Sequence, residues 1–387
     1  MVIRRNGGGL AALSLGALAI GAVILPALPA TGASAAATSA AVTSAGGRLV
    51  CPQFTQSPTK EATLDGVATV SAKDAWSVGF NEVGPIAEHF NGSKWSLVKV
   101  PAPNGSGLLF AAASFPGGAW GVGASGTPVE GGKPMIFRLT GASKVQRMKM
   151  PKLPAGRLID VSVTSAKDAW AGGLLGHGEL LMHWNGTAWK RVSFPGKGVV
   201  TSVLGTSATN VWVTDRAFNG NTPAQVWNWN GKKWRQTAIP ALNGKTGYVL
   251  NDLSASSAKD VWAVGDLLDE NLQSFTVAVH WNGAKWSVVK TPALPITDGA
   301  RFLGVAAISP KNAWAVGDNV HFPAVIEHWN GTAWKVVKSP ACGGLISISL
   351  APGGNGWAVG TEPDAQDNIP VIFQLTGKTW KTVPVGV

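Results

Sequence analysis

The stretch HWNGTAWKVVKSP, His328–Pro340, has a near-twin in HWNGTAWKRVSFP, His183–Pro195. Two such similar strings so far apart point to a duplicated unit, and internal repeats have to be settled before local structure is read. The Asn-Gly pair at the centre of each string is a hairpin signal: a tight turn needs residues that tolerate positive φ. Proline ends each string, because it has no N–H to give a strand ladder. The same turn recurs as Asn91-Gly92, Asn230-Gly231 and Asn282-Gly283, with Thr140-Gly141 and Thr376-Gly377 as variants. A tryptophan follows the glycine by three residues in six of the seven copies: Trp95, Trp189, Trp234, Trp286, Trp334 and Trp380. Val145 stands near that place in the second copy.

A second string precedes each turn. SAKDAWAGG at Ser165 is matched by SAKDAWSVG at Ser71, SAKDVWAVG at Ser257 and SPKNAWAVG at Ser309, with looser copies around Trp120, Trp212 and Trp357. The seven central tryptophans, Trp76, Trp120, Trp170, Trp212, Trp262, Trp314 and Trp357, are 44, 50, 42, 50, 52 and 43 residues apart. Within a unit the signals are all β. RLIDVSVTS alternates apolar and polar residues as a half-buried strand does. The strings DVWAVG, AVIEHW and TAWKVVKSP are rich in β-branched and aromatic residues, and no segment keeps a helical period.

Four strands in each of seven units predicts an all-β fold, a seven-bladed β-propeller of four-stranded antiparallel blades. Such a blade has two apolar faces and buries them against its neighbours. Seventeen of the 18 tryptophans fall on three repeat positions, so they are expected to fill the seams between blades; Trp227 is the exception. The blades are placed at about 58–103, 104–154, 155–198, 199–243, 244–295, 296–343 and 344–387.

Residues 1–35 read as an export signal: basic MVIRR, an apolar run broken by Pro26, and Ala33–Ala35 as a small-x-small cleavage site. The apolar run is shorter than a spanning helix needs. LPATG at Leu28–Gly32 has the letters of a sortase motif but stands at the wrong end of the chain. Residues 36–57 form an Ala/Ser/Thr-rich tether and N-terminal segment. A secreted or wall-associated monomer is expected. Its two cysteines, Cys51 and Cys342, are expected to form one disulfide that ties the ring across its seam, since seven complete units leave no shared blade as a clasp.

The pattern WAVG…HWNGTAW…P resembles the Trp-rich propeller repeats of secreted bacterial proteins, loosely grouped with kelch, Asp-box and galactose-oxidase-like propellers. The resemblance covers roughly 58–387. It implies the architecture and leaves activity open, because one fold hosts many functions. Asp-box repeats carry Ser-x-Asp-x-Gly-x-x-Trp, which these turns lack. The copper sites of galactose-oxidase-type members use paired tyrosines, and this chain has one, Tyr248. No arginine triad of the sialidase type is found.

Histidine is the first candidate for chemistry. His89, His183, His280 and His328 each precede the aromatic residue that ends a third strand, one per blade. Sheets stand about 10 Å apart and metal–His bonds are about 2 Å, so the four cannot share an ion and a structural role is expected. Asp74, Asp168 and Asp260 in the Ser-Ala-Lys-Asp turns are read as turn caps. Neither a metal nor a cofactor is expected. What remains is polarity off the repeat pattern, in the loops between second and third strands: Asp215 and Arg216, Asp266, Asp269 and Glu270, Asp318 and His321. These are the expected ligand-binding residues, since variable loops on a rigid scaffold are where binding groups concentrate.

The net charge of +11 favours anionic surroundings. The expected function is that of a non-enzymatic module binding an extracellular glycan, an anionic wall polymer or a protein, with nucleic acid not expected. The alternatives are a hydrolase or lyase acting on extracellular carbohydrate at the loop face, and a purely structural surface protein.

Overall fold

The computed structural model describes residues 61–386, except 103–104, 127–131, 177, 217–223, 243–247, 269–272, 293, 295–298, 320–323 and 364–367. The expected export signal, the expected tether and Cys51 therefore lie outside the described residues.

Twenty-eight strands form seven four-stranded antiparallel sheets, each built from consecutive strands in chain order. The blades span 62–98, 108–147, 156–191, 199–237, 248–289, 300–336 and 344–383. The first strand of each blade packs beside the first strand of the next, and that of blade seven packs beside that of blade one. The sheets thus stand radially around an axis, as the sequence repeat requires. No helix of the described residues is long and apolar enough to cross a membrane.

Tryptophan makes the seams. The seven second-strand tryptophans are between 0% and 4% exposed. In six seams the second-strand tryptophan meets the fourth-strand tryptophan of the next blade edge to face: Trp120–Trp189, Trp170–Trp234, Trp212–Trp286, Trp262–Trp334, Trp314–Trp380 and Trp357–Trp95. Their interplanar angles are 80° to 90°. This sets the positive edge of one ring against the negative face of the other. The Trp357–Trp95 pair belongs to the closing seam. In the remaining seam Val145 packs on the cluster that contains Trp76.

Each innermost strand leaves one edge unpaired, a row of N–H groups that must find acceptors. In blades one, four, five and six, side chains of the preceding blade supply them. Val203 N–H donates to Asp160 Oδ2 (2.7 Å), Leu253 N–H to Ser202 Oγ (3.2 Å), Val305 N–H to Asp252 Oδ2 (2.8 Å) and Val67 N–H to Ser347 Oγ (3.2 Å). Two residues further on, Ser162, Ser254 and Ser349 take the N–H groups of Gly205, Ala307 and Thr69. Gly66 holds the acceptor position in blade one because there is no room for a side chain: a Cβ would lie 2.7 Å from Ala112 N.

One expectation is corrected here. Asp74, Asp168 and Asp260 do not cap their turns. The serine that opens each turn does so, as when Ser71 Oγ accepts from Lys73 N–H and Ser257 Oγ from Lys259 N–H. The aspartates instead hold the histidines: His89 Nε2 lies 2.9 Å from Asp74 Oδ1, His183 Nε2 2.5 Å from Asp168 Oδ1, and His280 Nε2 2.6 Å from Asp260 Oδ1. Each ring also lies against the second-strand tryptophan of its blade, with centroids 4.3 to 4.5 Å apart. His328 does the same with Asn312 and Trp314.

The closing seam carries a clasp of its own beside the strands. Residues 384–386 leave blade seven and cross onto blade one, where Val385 joins the apolar cluster of the closing seam. Gly386 N–H there donates to the buried Glu88 Oε1 at 2.9 Å.

Candidate functional site

Strand direction fixes two faces. Turns from first to second strand and from third to fourth strand lie on one face; first strands begin and second strands end on the other. The second face is the one expected to bind, and it gathers four charged side chains around the axis: Arg216 from blade four, Asp266 from blade five, and Arg301 and Asp318 from blade six.

Arg301 is the second residue of its blade's first strand, Ala300–Ser309, and lies directly opposite Asp318 in the ladder. Its guanidinium grips the carboxylate with two bonds, Nε to Oδ1 and Nη2 to Oδ2, both 2.7 Å. The fork geometry of arginine suits this bidentate contact. Burial alone would lower the Arg301 pKa, but the hydrogen bonds and charge of Asp318 outweigh it and the guanidinium is held charged. Blade seven makes room for the pair with Gly344, where a Cβ would come within 2.7 Å of the Asp318 Cβ.

Asp266 is tied to its own blade by Asn251, whose Nδ2 donates to Asp266 Oδ1 (3.0 Å) and across the seam to Phe302 O (2.8 Å). Burial raises the Asp266 pKa, against the opposing pull of Asn251 and of the Arg301 and Arg216 charges. Burial lowers the pKa of Arg216, and the charge of Asp266 works the other way. Positive and negative groups thus alternate over three blades, each charge facing its opposite.

Of the residues expected to bind, Arg216, Asp266 and Asp318 share this arc. Asp215 points the other way: it is 2% exposed and its Oδ1 accepts from Trp227 Nε1 at 3.0 Å. Burial pushes its carboxyl up to about 6, with the Glu179 charge adding to the rise. That bond also gives the one off-pattern tryptophan its place. Asp269, Glu270 and His321 lie outside the described residues. Arg301 and Asn251 are part of the site and were not anticipated. Their signal was the strand register, which two bulges hide.

Two other acids stand near the axis. Asp160 and Asp252 are linked through Ser202 Oγ, 2.7 Å from Asp160 Oδ2 and 3.3 Å from Asp252 Oδ1. Burial raises both, Asp160 to about 6 and Asp252 to about 8, the second helped by the charge of the first. One oxygen of each accepts an N–H of the next blade and the other the N–H of the following residue in its own strand, so they serve the ring. Among the described residues no group of three or more metal-ligating side chains is found.

No protein-family model matches the sequence, and no curated protein matches it at a significant level. Solved propellers are similar in fold. YCF48 bound to D1 peptide is 13% identical with a TM-score of 0.56, covering 84% of this chain and 97% of that one. The WD40 β-propeller domain of Doa1 is 12% identical at 0.56, covering 83% and 95%. The GH74 xyloglucanase from Xanthomonas campestris is 14% identical at 0.61, covering 86% of this chain but 56% of that one. At these identities the likeness is one of fold: the chain is a seven-bladed β-propeller.

Proposed function

We propose that the chain is a secreted, non-enzymatic binding module that holds an extracellular protein segment or glycan at the loop-face mouth of the ring. The observation that carries this is the arc of Arg216, Asp266, Arg301 and Asp318, fixed at the ends of inner strands rather than on free loops. Groups prepositioned in this way give a ligand directed hydrogen-bond donors and acceptors with little ordering cost. YCF48 bound to D1 peptide shows that one propeller of this shape takes a peptide, which supports the protein reading. Catalysis fits the same residues less well. Asp318 is neutralised by Arg301, Asp266 is held by Asn251, and the Asp160–Asp252 pair is occupied by backbone N–H groups, so none stands free as an acid or nucleophile. The disulfide between Cys51 and Cys342 belongs to this proposal: among the described residues no cysteine is free. It would reinforce the seam that residues 384–386 already cross.

The test is a screen of the mature protein on peptide and glycan arrays, run beside the double variant Arg301→Met/Asp318→Leu. Removing both partners avoids leaving one buried charge unpaired. The expected result is a set of hits that survives 1 M salt, where the Debye length is about 3 Å, and that the double variant loses by at least about ten-fold, roughly 1.4 kcal/mol. Hits that the variant retains at full strength would overturn the assignment.

A further inference from the structure

The fold sorts the basic residues by kind. The fourteen turns on the face opposite the mouth, two per blade, carry ten lysines and no arginine, against three aspartates. All seven blades contribute at least one of these lysines, and all ten are exposed. The three aspartates, Asp74, Asp168 and Asp260, are the ones engaged by histidine, so little acid is left to neutralise this face.

The lysines are also placed by the repeat. In blades one, three, five and six the first turn presents Lys73, Lys167, Lys259 and Lys311 at the same position, each with its N–H capped by the turn serine. The stem of each packs on the glycine of the neighbouring Asn-Gly turn. A Cβ at Gly92 would fall 3.0 Å from Lys73 Cβ, and one at Gly331 2.9 Å from Lys311 Cγ. These glycines have φ of 94° and 96°, the left-handed region that glycine adopts without strain. The stems are therefore anchored while the ammonium groups remain in water, the same positive charge repeated on four of the seven blades.

We propose that this face docks a linear phosphate-repeat polymer. Lysine is a compact, hydrated point charge that meets phosphate without fixed geometry, whereas arginine imposes a planar fork. Charges repeated from blade to blade match a ligand that repeats its own charge. A single phosphate group reaches one or two lysines; a long chain reaches several blades and gains from their number. This surface is separate from the mouth, so either assignment can fail while the other stands.

The experiment measures binding of long-chain inorganic polyphosphate and of tripolyphosphate by anisotropy across a salt series. The proteins are the wild type, the triple variant Lys167→Gln/Lys259→Gln/Lys311→Gln, and the mouth variant Arg301→Met/Asp318→Leu. The long chain should bind at least about ten-fold more tightly than tripolyphosphate. The triple variant should weaken it about ten-fold at low salt and flatten the slope of log K against log salt by about 2, three lost contacts at roughly 0.7 each. The mouth variant should bind as the wild type does. The proposal is overturned if the triple variant binds like the wild type, if tripolyphosphate matches the long chain, if the mouth variant loses binding, or if duplex DNA is held more tightly than polyphosphate.

Discussion

Glu327 shows what one residue can cost a repeat. It lies opposite Ala315 in blade six, the place that Met182 takes opposite Ala171, Val279 opposite Ala263 and Phe373 opposite Ala358. Its side chain is 0% exposed and neither carboxyl oxygen has a hydrogen-bond partner. Burial pushes it from the ordinary 4.5 up to about 8. The folded protein thus holds this proton more tightly than the unfolded chain does. The resulting stability is complete below about pH 4.5 and is lost as pH rises through about 8. Urea titrations at pH 5 and pH 9 should show lower stability at pH 9, by on the order of 2 kcal/mol or more. Glu327→Met should shrink that difference, and the part that remains belongs to the other buried carboxyls, Asp252 first among them. A wild-type curve that is flat between these values would contradict the assignment. The repeat made the strand legible, but Glu327 was read as one more third-strand position. The histidines were read correctly as structural. Their partners were not, because Ser and Asp both favour turns and only the folded geometry divides the work between them.

At the scale of the element, the strands and hairpins were plain in the sequence, since tryptophan spacing and Asn-Gly turns mark them directly. Register was not. Counting back from the Ser309–Asn312 turn without irregularity would set Asp318 against Leu303. Shifts at Phe302/Gly304 and Ala307/Ser309 move Arg301 there instead. That displacement assembles the bidentate pair, and it explains why Arg301 escaped a reading that used spacing alone. The same kind of shift recurs in the first strands of most blades and aims Asp160, Ser202 and Asp252 at the next blade. The seams they support rest mainly on tryptophan. Ten buried indole N–H groups lack an oxygen acceptor, and edge-to-face packing offers them a π face in its place. Trp262→Ala empties one such seam, between blades five and six, and should destabilise by roughly 3–5 kcal/mol in urea. A loss below about 1 kcal/mol would show that the seam does not depend on this ring. Asp252→Leu should cost about 1–3 kcal/mol, since Val305 N–H loses its acceptor and Leu253 N–H keeps only Ser202 Oγ. If stability is unchanged, the inter-blade caps contribute nothing measurable.

The whole molecule is a ring whose two faces differ, the mouth carrying the arginine–aspartate arc and the other face the lysine turns. The number of blades was legible because each one repeats the same tryptophans. Closure was not, because residues 381–387, KTVPVGV, contain no repeat signal. In the structure residues 384–386 cross onto blade one and lay Val385 on the closing seam. Gly386 has no room for a side chain there, as a Cβ would stand 2.9 Å from Ser96 Cα. Gly386→Val should therefore loosen the closing seam. Amide exchange should rise first in blades one and seven, with the far side of the ring unchanged; uniform exchange around the ring would argue against a clasp at this point. The mouth remains the centre of the functional account. Hydrogen exchange on the protein bound to its strongest array hit tests it most directly. The account predicts slowed exchange at the second-strand ends around Arg216, Asp266 and Asp318 and at Arg301, with the lysine turns unaffected. Protection confined to the turns at Lys73, Lys167, Lys259 and Lys311, with none at the mouth, would contradict it.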